Sequence, residues 1–181
     1  RRSTGMIAVI DFETTGLKAG IDEVLQVSII DENYNTLFNT YCKPLRHKTW
    51  DTAQKINGIA PQMVISKPPF LLCREKVKEI LTAADEVIAY NVDFENSFLK
   101  AYGIYIDPGK WVDPMIMFAR IYGEYDSLHD SYKWQSLTKC AEYYGYKFKA
   151  HDSLEDVKAT LYCYKKMIEG RANNADTSNN G

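Results

Sequence analysis

The stretch that decides the fold is Met6-Ile7-Ala8-Val9-Ile10-Asp11-Phe12-Glu13-Thr14-Thr15-Gly16. Its apolar run, rich in Ile and Val, and the turn that stops it predict a buried strand that delivers two acids at its end. Asp11 and Glu13 are two apart, so on an extended chain their side chains leave the same face, with α-carbons about 7 Å apart. Two carboxylates so placed repel each other unless a cation sits between them. A surface Asp-x-Glu at a strand end is common in an acid-rich chain, so the pair alone does not make a site. Thr14-Thr15-Gly16 adds a tight turn whose backbone amides can approach a phosphate.

Working outward, Val24 to Ile30 and Leu37 to Cys42 read as two more strands, joined by the polar connector Asp31 to Asn35. Three strands in succession predict an antiparallel meander. Polar loops and short helices follow from Lys43 to Lys67. Pro68-Pro69 then opens a helix with Phe70, Cys73, Val77, Ile80 and Leu81 on one face. Glu86 to Tyr90 predicts a strand followed by a helix to about Tyr102. Asp113 as N-cap, with Pro114 at the first helical position, starts another helix to about Tyr122. Gly123 to Lys133 reads as a loop before a helix near Ser136 to Tyr144. In the last helix Asp152 is the N-cap and Glu155 completes a capping-box-like start. Its apolar stripe is Leu154, Val157, Leu161, Tyr164 and Ile168, and Gly170 is read as its end. Strands first, then alternating helices and strands, predict an α/β domain with one mixed sheet, a meander extended by parallel strands and flanked by α-helices.

The domain is expected over residues 6–170. Residues 1–5 are read as a remnant ahead of a native start at Met6, and the Asn-rich residues 171–181 as a disordered polar tail. The 181 residues are 45% apolar and 25% charged, which fits one compact domain and excludes collagen-like or wholly disordered chains. No apolar run approaches the roughly 20 residues of a membrane span, and the expectation is a cytoplasmic protein with no membrane partner. The four cysteines have neither C-x-x-C pairing nor a histidine at metal-ligand spacing, so reduced, buried thiols are expected. Lys plus Arg number 22 against 24 Asp plus Glu, so no broad basic surface announces a nucleic-acid binder.

Two further acids follow the Glu86 to Tyr90 run, in Asn91-Val92-Asp93-Phe94-Glu95. Glu95 shares a helical face with Phe98, Leu99 and Tyr102, whereas Asp93 shares one with Asn96, Ser97 and Lys100. Glu95 is therefore expected to look toward the sheet and Asp93 toward water. Near the last helix, Asp156 lies beside Ala159, Thr160 and Cys163, small residues that permit a close approach to the sheet. A carboxylate there needs a partner or a metal. His151, five residues earlier, takes its interest from this company; His47 and His129 are read as structural.

Together these motifs resemble the DEDDh 3'-5' exonuclease superfamily, which includes the proofreading subunit of bacterial DNA polymerase III, RNase T and oligoribonuclease. The likeness covers roughly Met6 to Glu169. The first motif, D-x-E-T-T-G, is present without departure at Asp11 to Gly16, and the third, H-x-A-x-x-D, stands at His151 to Asp156 with Ser153 at the alanine position. The second, N-x-x-F-D, aligns on Asn91 and Phe94 and places Glu95 where the family has aspartate, the same residue the helical faces select. Asn57-Gly58-Ile59 stands where relatives often carry His-Gly-Ile.

The resemblance implies an RNase H-like fold and a site for two divalent cations, Mg²⁺ or Mn²⁺, held by Asp11, Glu13, Glu95 and Asp156, with His151 accepting a proton from the attacking water. Hard cations prefer carboxylate oxygen, and two of them stabilise both the attacking and the leaving oxygen of a phosphodiester. It also implies that Thr14, Thr15 and Leu17 border the terminal nucleotide, with Asn57, Ile59 and Phe94 nearby. Lys43, Arg46, Lys48 and Lys55 around Trp50, and Lys147 and Lys149, suggest a single-strand track. The implied activity is 3'-5' hydrolysis of single-stranded DNA to nucleoside 5'-monophosphates, in repair or proofreading, with a DNA polymerase or other replication partner, although a stand-alone enzyme fits equally. Alternatives are the same chemistry on RNA, since no motif reports on the 2'-hydroxyl, and a non-catalytic nucleic-acid-binding module with a weakened metal site. Setting the four candidate ligands aside leaves 20 acids against 22 bases, so the apo balance understates what a phosphate strand meets at a metal-loaded site.

Overall fold

The computed structural model describes residues 5–178, with side chains described through residue 174. Residues 1–4 and 179–181, from the two terminal segments, lie outside the described residues. The decisive stretch forms β1 (Ile7–Thr14), which pairs antiparallel with β2 (Val24–Ile30), itself antiparallel to β3 (Thr36–Tyr41). The meander is as expected. On the other side of β1 lie β4 (Glu86–Ile88) and β5 (Trp111–Val112), both parallel, giving the five-strand order β3-β2-β1-β4-β5. The mixed sheet flanked by helices is an RNase H-like α/β fold.

Between β3 and β4 run α1 (Asp51–Asn57), α2 (Pro61–Val64) and α3 (Phe70–Ala83). All five apolar residues of the α3 pattern are buried. The helix α4 (Val92–Ala101) follows β4, and α5 (Pro114–Tyr122) follows β5. Asp113 caps both: its carboxylate accepts the N–H groups of Asn91 and Val92 and that of Met115. Two helix starts on neighbouring strands are thus held by one side chain.

Strand alternation divides the core. Ala8, Ile10 and Phe12 of β1 pack with α3 and α4, whereas Val9 joins Ile30, Ile88, Val157 and Leu161 on the opposite face. That opposite face is covered by α7 (Ser153–Ser178), and Asp11 and Glu13 belong to it by the period of two. The N–H groups of Leu154 and Glu155 donate to Asp152 Oδ1, the expected cap. Glu155, however, sits within ion-pair distance of Lys158.

Three expectations are corrected. The helix α7 continues through Gly170 to Ser178. Gly170 lacks the positive φ of a C-terminal cap, and one glycine inside a helix costs only about 1 kcal/mol. The sequence boundary at Gly170 therefore marks no end of helix, and the stretch 171–178 read as a disordered tail is helical. Ile168 is exposed and Met167 is buried in its place, because α7 packs on α5 and α6 (Leu137–Tyr143) as well as on the sheet. Gly123 to Lys133, read as a loop, carries β6 (Tyr125–Asp126) and β7 (Ser131–Tyr132), an antiparallel hairpin. Its strands are two residues long, below what alternation can signal. All four cysteines are buried and free, as expected, and among the described residues no helix is long and apolar enough to cross a membrane.

Candidate active site

Four carboxylates meet where the sheet face of β1 is covered by α7. Asp11 and Glu13 come from β1, Glu95 from the first turns of α4 and Asp156 from the first turn of α7. With His151, they line one cavity of about 360 Å³. Glu95 is buried and Asp93 exposed, as the helical faces predicted. Ligand atoms of Glu13, His151 and Asp156 all lie within 4.8 Å of one another.

The segment carrying His151 is anchored at its backbone. His151 has φ 68°, the left-handed region that few non-glycine residues adopt, and its N–H donates to Asp156 Oδ1 at 3.1 Å. The polar row of β2 does the rest. Gln26 Nε2 donates to Asp152 Oδ2 at 3.4 Å, and its Oε1 accepts the N–H of Ser153 at 3.2 Å. The hydroxyls of Ser28 and Ser153 share a hydrogen bond at 2.6 Å. Glu13 pairs with Gln26, and Asp11 with Ser28, in the β1–β2 register. Thus one pair of strands presents two acids and fixes the helix that brings the fourth.

The turn after β1 is equally tied. Thr15 Oγ1 donates to Asp22 Oδ1 and accepts the N–H of Glu23, while Asp22 Oδ2 accepts the N–H of Lys18. A Cβ on Gly16 would come within 2.5 Å of the Asp22 carboxylate, which explains the glycine. Asn57 Nδ2 donates to the Thr14 carbonyl at 3.3 Å, and the Asn57 side chain also supports the Glu13 carboxylate.

Charge crowding dominates the electrostatics. Burial, then the neighbouring Glu95, Asp156 and Glu13, hold the Asp11 carboxyl well above the usual carboxylate range. Burial likewise raises Glu95 far above its ordinary value, against hydrogen bonds from its own backbone N–H, that of Phe12 and the Asp11 side chain. Glu13 is pushed to about 8 by burial and by Asp156 and Asp152. Asp156 is pushed to about 7, chiefly by burial. No Lys or Arg lines the cavity, and the buried atoms Asp11 Oδ2 and Glu95 Oε2 have no hydrogen-bond partner among the described residues. Converging carboxylate oxygens, unneutralised and partly orphaned, suit hard divalent cations.

Of the residues expected to border a nucleotide, Thr14, Thr15, Leu17, Asn57 and Phe94 line the cavity, Leu17 at 82% exposure on its rim. Ile59 does not. It is buried with Leu25, Trp50 and Val64, and its carbonyl accepts the Trp50 indole N–H. Trp50 is buried by the same packing, so the lysines around it have no exposed ring there on which a base can stack. Lys43 and Lys48 line a separate hollow with Trp50. His47 pairs with Glu23 and His129 with Asp126, the structural roles expected of them. Sequence reasoning missed Tyr90, Thr52, Ala53 and Ile56, which complete the cavity wall. No sequence pattern marks them; the structure leaves Ile56, an apolar residue on a short helix, 59% exposed.

Residues 8–164 match the profile of the RNase_T exonuclease family. The chain belongs to that family. Its motifs place it in the DEDDh 3'-5' exonuclease superfamily. It is 27% identical over 172 residues to the PolC-type DNA polymerase III of Thermotoga maritima, a match covering 89% of this chain and 12% of that protein. It is 26% identical over 160 residues to the 3'-5' exonuclease DinG of Staphylococcus aureus, covering 84% of this chain and 17% of that one. The domain therefore spans a small part of these relatives. Among solved structures it is similar to E. coli exonuclease I in complex with a dT13 oligonucleotide, with a TM-score of 0.76 and 20% identity over 96% of this chain and 43% of that one. It is also similar to exonuclease X in complex with 5' overhanging duplex DNA, with a TM-score of 0.65 and 19% identity over 91% of this chain and 92% of that one.

Proposed function

We propose that this domain hydrolyses single-stranded DNA from its 3' end, releasing nucleoside 5'-monophosphates, with two divalent cations, Mg²⁺ or Mn²⁺, in the acidic cavity. The observation that carries the proposal is the convergence of Asp11, Glu13, Glu95 and Asp156 with no Lys or Arg lining the cavity and no hydrogen-bond partner for two of their buried oxygens among the described residues. These four residues would hold the metals. When bound, divalent ions supply charge neutralisation for an anionic phosphodiester and for the oxygens that enter and leave it.

The chain's own residues do the rest. His151, exposed at the cavity edge, accepts the proton of the attacking water on a ring nitrogen, a general-base role suited to an imidazole. Asp156 holds the His151 backbone in place. The Thr14-Thr15-Gly16 turn borders the terminal nucleotide, and Leu17, Ile56 and Phe94 offer apolar surface to its base. DNA is preferred because the polymerase relatives and the exonuclease I oligonucleotide complex are DNA proteins by name. The PolC likeness likewise supports a DNA polymerase or another replication component as partner.

The test is digestion of 3'-labelled and 5'-labelled DNA and RNA oligonucleotides with Mg²⁺, Mn²⁺ or EDTA. Stepwise 3' shortening of DNA that EDTA abolishes is expected. Faster RNA digestion overturns the substrate, and binding without cleavage in either metal overturns the enzyme.

A further inference from the structure

The hairpin β6–β7 leaves a set of aromatic rings in water. Tyr125 and Tyr132 face each other across it, centroids 5.5 Å apart and planes at 76°, and Trp134 follows. Their exposures are 52%, 42% and 61%. Against α5 they form a groove of about 490 Å³, with Ile116, Arg120 and Asp130 among the other lining residues. The hairpin's acids are engaged: Glu124 by Lys133, Asp126 by His129, and Asp130 by the Tyr125 hydroxyl. Arg120 makes no hydrogen bond or ion pair among the described residues. Flat rings beside one uncommitted guanidinium suit a planar heteroaromatic base attached to an anion.

Two links tie the elements of the groove to those of the acidic cavity. The main-chain carbonyl of Gln135, next to Trp134, accepts the hydroxyl of Tyr90 at 2.7 Å, and Tyr90 lines the cavity. Arg120 lies seven residues along α5 from Asp113, about 10 Å at helical rise, and the Asp113 carboxylate accepts the N–H groups of Val92 and of Asn91, which lines the cavity. We infer that the groove is a stacking subsite for the same single strand, engaging a nucleotide upstream of the scissile bond between Trp134 and Arg120. This rests on the nuclease reading above, and extends it from the terminal nucleotide to the body of the strand.

The experiment measures binding and turnover separately, on wild type, Trp134→Ala, Trp134→Phe and Arg120→Ala. Affinity is read by fluorescence anisotropy in Mn²⁺, each protein also carrying His151→Ala to slow digestion, with short (about 4) and longer (about 16) oligothymidylates. Turnover is read in Mn²⁺ on the p-nitrophenyl ester of thymidine 5'-monophosphate, which stops short of the groove. Trp134→Ala and Arg120→Ala are expected to bind the longer strand about tenfold more weakly, with little change for the short one. Trp134→Phe keeps a stacking face and restores affinity, and ester hydrolysis is unchanged throughout. Equal affinity of all variants for the longer strand overturns the subsite. A wild type that digests neither the ester nor the oligonucleotides in Mn²⁺, while the variants show the length-dependent loss of affinity, sinks the nuclease reading and leaves the groove standing. A concentration-dependent dimer by light scattering that Trp134→Ala abolishes gives the groove to a second copy of the chain and also overturns it.

Discussion

Glu95 is the residue on which the site turns, because it stands one methylene longer than the aspartate its superfamily usually carries there. The helix answers part of the question. Glu95 is 2% exposed and interacts with Asp11, whereas Asp93 is in water. Glu95→Gln should lower the Mn²⁺-supported nuclease rate by about 100-fold or more, while Asp93→Asn stays within about twofold; steady-state rates at saturating Mn²⁺ decide, and the reverse ranking would falsify the assignment. His151→Ala should lower the rate by about 10²- to 10⁴-fold and leave Mn²⁺ affinity, measured by calorimetry, within a few-fold of wild type. The raised carboxyls also have a stability consequence. A group that binds its proton more tightly folded than unfolded stabilises the fold fully below its unfolded pKa, and that contribution is lost as pH rises through the folded value. For Glu13, at about 8, and Asp156, at about 7, the loss runs upward from the ordinary carboxylate range near pH 4 to about pH 8. In EDTA the melting temperature should therefore fall between pH 6 and pH 9, and Mn²⁺ should restore more at the alkaline end. A flat profile in calorimetric scans would show that the acids do not crowd one another in solution.

At the scale of elements, the site depends on one pair of strands holding one helix. Gln26 and Ser28 are polar residues in a strand that is otherwise apolar and buried throughout, and periodicity alone offers no reason for them. Their reason is α7. Gln26 bridges Asp152 and the Ser153 amide, and Ser28 meets the Ser153 hydroxyl, at the turn that bears His151 and Asp156. Gln26→Ala leaves a buried amide without its acceptor, at a cost of about 1–3 kcal/mol. It should lower kcat about tenfold or more with a smaller change in KM, measured together with urea unfolding. A loss of stability with unchanged kcat would confine Gln26 to holding the fold. Most elements were legible in sequence because each is a local pattern: the α3 stripe, the Asp113-Pro114 start and the Asp152 cap need only their own neighbours. The missed hairpin and the misjudged end of α7 share a cause, since two-residue strands and a tolerated helical glycine carry no periodic signal.

For the whole molecule, the near balance of 22 basic and 24 acidic residues acquires a location. Four of the acids gather in one cavity that no Lys or Arg among the described residues lines, so phosphate meets repulsion there until cations arrive. Strand affinity should therefore require divalent metal strongly and fall only shallowly with added monovalent salt. A double-logarithmic slope smaller in magnitude than about 2 is expected, corresponding to about two or three phosphate contacts. A much steeper slope in anisotropy titrations would reveal a broad basic track instead. Sequence alone determined which residues can carry the chemistry, their order along the chain and the face each presents, because alternation and helical period are properties of a few consecutive residues. Tertiary structure decided which of them meet. It buried Ile59 and Trp50 away from the cavity, brought Tyr90 and Ile56 into its wall, and set Gln26 under the cap of α7. Long-range packing does most to raise the Asp11 carboxyl, because burial and the fields of Glu95 and Asp156 reach it through space from helices far from it in the chain, adding to the field of its strand neighbour Glu13.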